Sequence, residues 1–124
     1  MNRPQLLELH DELCSRAKAI MEAKNHDYAG ADGESPFANF EAVQHLGIIE
    51  RKKGLLIRML DKYQRIKTFC ETGKLMVPGE GFEDAILDLI NYEILFAGMA
   101  REDMEAAEDD QPDCPDGDYK LGEK

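Results

Sequence analysis

FEDAILDLINYEILFA, residues 82–97, is the stretch on which the fold turns. Between Ala85 and Ala97 every residue is apolar or aromatic except Asp88, Asn91 and Glu93. The segment reads as a helix running on to about Glu105. A helix that is apolar almost all round must be covered on most sides. Neighbouring helices supply that cover, and where they fall short a second chain has to. The expected architecture is therefore an all-α, four-helix bundle completed by oligomerisation, as a homodimer or homotetramer.

Working outward, residues 49–71 read as the preceding helix. Leu55, Leu56, Met59, Leu60, Tyr63 and Ile66 make its apolar side. Gly54 lies inside it at a cost of about 1 kcal/mol relative to Ala. Residues 36–46 read as a short helix, with Ser35 as N-cap, Pro36 at its first position and Gly47 as its stop. Residues 4–24 read as the first helix. Leu6, Leu9, Leu13, Ala17, Ile20 and Met21 recur there at three- and four-residue spacing. Residues 25–35 (NHDYAGADGES) and 72–81 (TGKLMVPGEG) read as loops. Short connections between four helices favour a bundle. No run alternates well enough to read as a strand.

The chain has 124 residues and a formal net charge of −11. Nine of its 26 acids lie in residues 102–118, which contain no Lys or Arg, so 17 acids face 15 bases elsewhere. The body is thus nearly neutral, and the charge belongs mainly to the end of the chain. Residues 1–105 read as one helical domain, and 106–124 as an acidic, disordered tail. A near-neutral body without a basic stripe speaks against direct nucleic-acid binding. No apolar run reaches the length of a membrane span, and the first residues lack the apolar core of a signal peptide, so a cytoplasmic protein is expected. The three cysteines, Cys14, Cys70 and Cys114, show no metal-ligand spacing. Cys14 and Cys70 read as fillers of small apolar sites on helices.

The chemistry concentrates on the last two helices. Asp84 and Asp88 are four residues apart and share a face, with Asn91 one turn further and Tyr92 at its edge. Two carboxylates on a mostly apolar helix need compensation, either from a divalent metal with oxygen ligands or from Arg or Lys of another helix. The neighbouring helix offers both: Asp61 to complete an acidic cluster, and Arg58, Lys62 and Arg65 to neutralise it or to bind phosphate. The bland alternative is a solvated ladder of weak ion pairs. Lys24, Asp27 and Tyr28 form a further polar set at the first loop, with Asn39 beside Phe40 in the short helix. Tyr28 or Phe40 suits stacking on a base, and Asp27 or Asn39 suits reading its edge, whereas the plainer role for Phe37 and Phe40 is to fill the core. His10, His26 and His45 form no ligand pattern. Neither a GxxxxGK[ST] nor a GxGxxG loop occurs, and Ser15 and Ser35 have no partners that suggest a hydrolytic triad.

In order, KNHDYAG (24–30), PFANFE (36–41), RMLDKYQRI (58–66) and FEDAILDLINYEIL (82–95) resemble the phage and bacterial nucleotide modification associated domain. They are also similar to the MazG-like, all-alpha nucleoside triphosphate pyrophosphatases. The resemblance implies a helical, oligomeric protein that cleaves a nucleoside triphosphate to monophosphate and pyrophosphate with magnesium or manganese. It implies Asp61, Asp84 and Asp88 as catalytic metal ligands. It further implies Lys24, Asp27, Tyr28, Asn39, Arg58, Lys62, Arg65, Asn91 and Tyr92 as nucleotide-binding residues, and a role in phage nucleotide metabolism within the host cytoplasm. The family's acidic pairs are E-x-x-E and E-x-x-D. Here the second is spaced by four, and RMLDKYQRI carries one acid instead of two, so that either fewer metals bind or Glu41, Glu50 or Glu83 contributes. The same departure suits a protein that binds nucleotides without cleaving them. An acidic interaction factor, an inhibitor of a nucleic-acid-binding host protein, is the alternative that the acidic tail suggests.

Overall fold

The computed structural model describes residues 1–29, 35–74 and 81–110, the side chains of 25–29 and 110 excepted. Four helices form among them and no strand: α1 (Arg3–Ala29), α2 (Ala38–His45), α3 (Arg51–Thr72) and α4 (Phe82–Asp110). The all-α expectation thus holds. None of these helices is long and apolar enough to cross a membrane.

The helix ends follow local chemistry. Asn2 and Gln5 cap the start of α1 reciprocally, side chain to backbone, at 2.8 and 2.9 Å. This arrangement satisfies two otherwise orphaned donors. The expected end of α1 at residue 24 is too early, because the helix runs through Asn25–Ala29. The Asn and Asp there are poor helix formers but do not outweigh continuation of a long helix. Ser35 stands three residues before the start of α2 and is not its N-cap, a position that Phe37 holds without a side-chain bond. The Ser35 hydroxyl instead accepts from Phe37 N–H at 3.1 Å and donates to Glu41 at 2.6 Å. Gly47 ends α2 as expected: its φ of 75° is a left-handed conformation that only glycine adopts freely. Glu50 caps α3 by accepting from Lys53 N–H. The last helix continues to Asp110, beyond the expected end near Glu105.

The core is small. Phe37, Phe40, Leu55, Met59, Leu89 and Met99 form it, with Ile66, Tyr92, Leu95 and Phe96 packed around. Helices α3 and α4 are antiparallel, since Arg51 bonds Glu102, Tyr63 bonds Glu93 and Phe69 stacks on Phe82. The first helix packs on α4, and α2 lies chiefly on α3. Gly98 lets the Phe37 ring approach α4: a Cβ there would stand 2.9 Å from Phe37 Cζ.

Several sequence expectations about burial fail. Leu56, Leu60 and Tyr63 are 46, 52 and 43% exposed, although they share the apolar side of α3, and Leu6 on α1 is 56% exposed. With α1 packed on α4 and only the short α2 chiefly on α3, one layer of neighbours does not reach around α3 and α4. Cys14 and Cys70 are exposed as well, not core fillers. Glu102 and Asp103, counted with the acidic end, belong to the folded body and flank the buried Arg51 at 3.0 Å each.

Candidate functional site

A cleft of about 140 Å³ opens between α1, α2, α3 and α4. Its polar walls include Lys24 from the first helix, Asn39 from the second, Arg58 from the third, and Asp88, Asn91 and Tyr92 from the fourth. Those six were picked out by the sequence. Phe40, a candidate stacking ring, also lines it, together with Met21, Ser35 and Leu95, which no sequence signal assigns to a site.

 The volume is that of a single ring, since an apolar cavity of about 150 Å³ takes benzene. One ring therefore fits inside, and any larger ligand extends past the mouth.

The charges of the cleft are unequal. Among the described residues Asp88, half-buried on α4, is its one carboxylate. Lys62 Nζ lies 3.0 Å from its Oδ2, and Lys24 Nζ lies 3.7 Å from Oδ1. Arg58 adds a third cation. Its guanidinium lies over the Phe40 ring, 5.1 Å from the centroid, and among the described residues no carboxylate pairs with it. A cation held on a ring face keeps its charge while its donors stay outward. Among the described residues, Lys24, Lys62 and Arg58 thus outnumber the one carboxylate at and beside the cleft.

Asn91 shows why the sequence could find the face but not each role. It is 8% exposed, and its Nδ2 donates to the Ala17 carbonyl at 2.9 Å. It thus ties α1 to α4 as well as lining the cleft. Tyr92 packs against the core while its edge reaches the cleft. Arg65 and Asp61 pair with each other at 3.7 Å along α3, outside the cleft. The side chains of Asp27 and Tyr28 lie outside the described residues.

The three aspartates do not meet. Asp84 is exposed at the start of α4, where its Oδ2 accepts from Gly81 N–H at 2.8 Å and caps the helix. Asp61 is 64% exposed in its side chain and faces Arg65. Asp88 is neutralised by the two lysines. Among the described residues no three His, Cys, Asp or Glu side chains form a group that would hold a metal. Glu41, Glu50 and Glu83 do not complete one either, since they face Arg51, Lys52 and Arg16. As placed, this donor set does not fit a magnesium or manganese ion. Of the two compensations open to a carboxylate on an apolar helix, lysine from other helices is the one found at Asp88.

A second polar cluster escaped the sequence reading. Arg51, 7% exposed, donates to Glu102 at 3.0 Å, Asp103 at 3.0 Å and the Met99 carbonyl at 3.3 Å, and lies over the Phe37 ring. Lys52 also bonds Asp103. Burial works to lower the Arg51 pKa, but the hydrogen bonds it donates to Glu102 and Asp103 outweigh it and hold the pKa above the ordinary value. The Lys52 hydrogen bond, with help from Arg51, holds the Asp103 carboxyl below its ordinary value. Partners some fifty residues apart leave no local spacing signal. The only hint is an Arg-Lys pair at a helix start and a Glu-Asp pair near a helix end.

Compared with known proteins, the chain matches no family model, no curated protein and no solved structure.

Proposed function

We propose that this chain is a nucleotide-binding protein, with the cleft as its site. One observation carries the reading: a ring-sized apolar cleft lined by Lys24, Arg58 and Asp88, the last also paired with Lys62, with Asn39, Asn91 and Tyr92 as further polar groups. A nucleotide is a planar ring joined to an anion, and each part has a counterpart here. The base enters beside Phe40 and Leu95, and the phosphates remain at the mouth near Arg58, Lys24 and Lys62. Guanidinium and ammonium groups bind phosphate oxygens through charge-assisted hydrogen bonds. In this reading the chain binds without cleaving.

Hydrolysis of a nucleoside triphosphate to monophosphate and pyrophosphate is the second reading. What favours it is that the four segments resembling the MazG-like enzymes each send a residue to this one cleft: Lys24, Asn39, Arg58 and Asp88. That no acidic group suited to a metal forms among the described residues places it second.

Calorimetric titration of the full chain with a panel of nucleoside mono- and triphosphates, with and without magnesium, tests both. Saturable heat that Arg58→Ala and Lys62→Ala weaken, with the nucleotide recovered intact, supports the binding protein. Monophosphate and pyrophosphate as products would establish hydrolysis. No heat and no product with any nucleotide would sink both readings.

A further inference from the structure

Asn91 is 8% exposed, yet it lines the cleft. Its Nδ2 donates to the Ala17 carbonyl at 2.9 Å. A carbonyl only accepts, so the amide cannot turn over without losing that bond in a buried place. The direction of its Oδ1 is therefore fixed. Among the described residues no group donates to this oxygen, and no side-chain oxygen there is both sealed from solvent and without a partner. Oδ1 thus opens on the cleft, as an acceptor whose orientation is set by the contact between α1 and α4.

The remaining polar groups are committed differently. The Ser35 hydroxyl gives its proton to Glu41 at 2.6 Å and accepts from Phe37 N–H at 3.1 Å, so it offers the cleft no donor. Asn39 is exposed, and its amide can present either edge. Met21, Phe40 and Leu95 supply apolar wall.

We infer that the cleft selects a pyrimidine base, with Asn91 Oδ1 accepting from a donor on the edge of its ring. The inference rests on the reading of this cleft as a nucleotide site. Size is the first argument. A space of about 140 Å³ has room for one six-membered ring. The fused pair of a purine would leave one ring outside or push Met21 or Leu95 aside. Polarity is the second. The N4 amine of cytosine and the N3–H of uracil or thymine are donors on the edge of a single ring, and either one satisfies the oxygen. A ring without such a donor would leave a buried acceptor unpaired, which costs affinity. Purines carry edge donors too, so size separates the two classes of base, and the donor separates one pyrimidine from its donor-free analogue.

Calorimetric titration of the full chain with the 5′-monophosphates of uridine, cytidine, adenosine and guanosine tests this, because the four differ only in the base. The tighter pyrimidine should bind about tenfold or more tighter than either purine. Methylation that removes its edge donor, as in N3-methyluridine or N4,N4-dimethylcytidine monophosphate, should weaken it about tenfold. The methylated ligands leave the protein unaltered, so no change of fold enters that comparison. Met21→Ala widens the slot and should narrow the preference over purines severalfold, with circular dichroism to check that the helices persist. Purines bound as tightly as pyrimidines, methylated analogues bound as tightly as their parents, or an unchanged preference in Met21→Ala would each overturn the inference and leave nucleotide binding standing. No heat with any of the four, nor with the triphosphates, would remove both.

Discussion

Lys62 on α3 and Asp88 on α4 are joined across the bundle at 3.0 Å, with side chains only 16 and 23% exposed. Lys24 approaches the same carboxylate from α1 at 3.7 Å. One acid therefore holds two lysines at the edge of a cleft that also contains Arg58. A phosphate arriving there competes with Asp88 for both ammonium groups.

Asp88→Asn should accordingly tighten nucleotide binding. The amide keeps the shape and removes the competing charge. A gain of about five- to tenfold is expected, falling with added salt. Calorimetry at two ionic strengths measures it. Weaker binding would mean that Asp88 contacts the ligand itself.

Arg58→Ala should weaken nucleotide binding about tenfold, or about 1.4 kcal/mol, and leave thermal stability nearly unchanged. The side chain is exposed and its stacking on Phe40 at such a site contributes only about 0.5–1 kcal/mol. Arg58→Lys should restore part of the affinity, because the charge returns without the planar fork. Equal affinity in all three proteins would remove Arg58 from the site.

Arg51→Ala should destabilise the fold by roughly 3 kcal/mol, since it strips a buried cation from Glu102, Asp103 and the Met99 carbonyl. Urea denaturation measures the change. A loss under about 1 kcal/mol would show that the carboxylates resolvate freely.

Acid should weaken the same cluster. Asp103 is held below its ordinary pKa, chiefly by Lys52 and also by Arg51. A depressed carboxyl contributes its stability above the unfolded value, about 3.9, and loses it as pH falls through the lower folded value. Glu50, lowered by Lys52, acts with the same sign. Unfolding midpoints should therefore fall below about pH 4, and less steeply in Asp103→Asn. Parallel pH curves for the two proteins would contradict this.

Gly98→Ala should destabilise by about 1 kcal/mol despite alanine's better helix propensity. The new Cβ would stand 2.9 Å from Phe37 Cζ. The ring cannot yield easily, being 7% exposed and packed beneath Arg51 at 5.4 Å. Overpacking costs about 1–3 kcal/mol against a propensity gain of about 1. A thermal melt shifted upward would show that the ring has room.

Much of the fold was legible in the chain. The periodicity of Leu55, Met59 and Ile66 and the near-continuous apolar run after Ala85 specified the last two helices, and Gly47 marked a stop that the structure keeps. Six residues chosen for chemistry, Lys24, Asn39, Arg58, Asp88, Asn91 and Tyr92, do line one cleft. They were legible because polar residues on otherwise apolar helices stand out.

Their roles were not legible. Asp84 and Asp88 look equivalent in sequence, one turn apart on the same helix. Yet one caps a helix end in solvent and the other is locked to two lysines. The burial of Arg51 and the exposure of Leu56 and Leu60 were equally hidden. Helix periodicity is local, set by the 3.6-residue turn, so the sequence alone determined which residues share a face. What each face meets depends on partners tens of residues away. Only tertiary packing could decide which carboxylate gained a cation, which stayed in water, and which apolar stripe was left without cover.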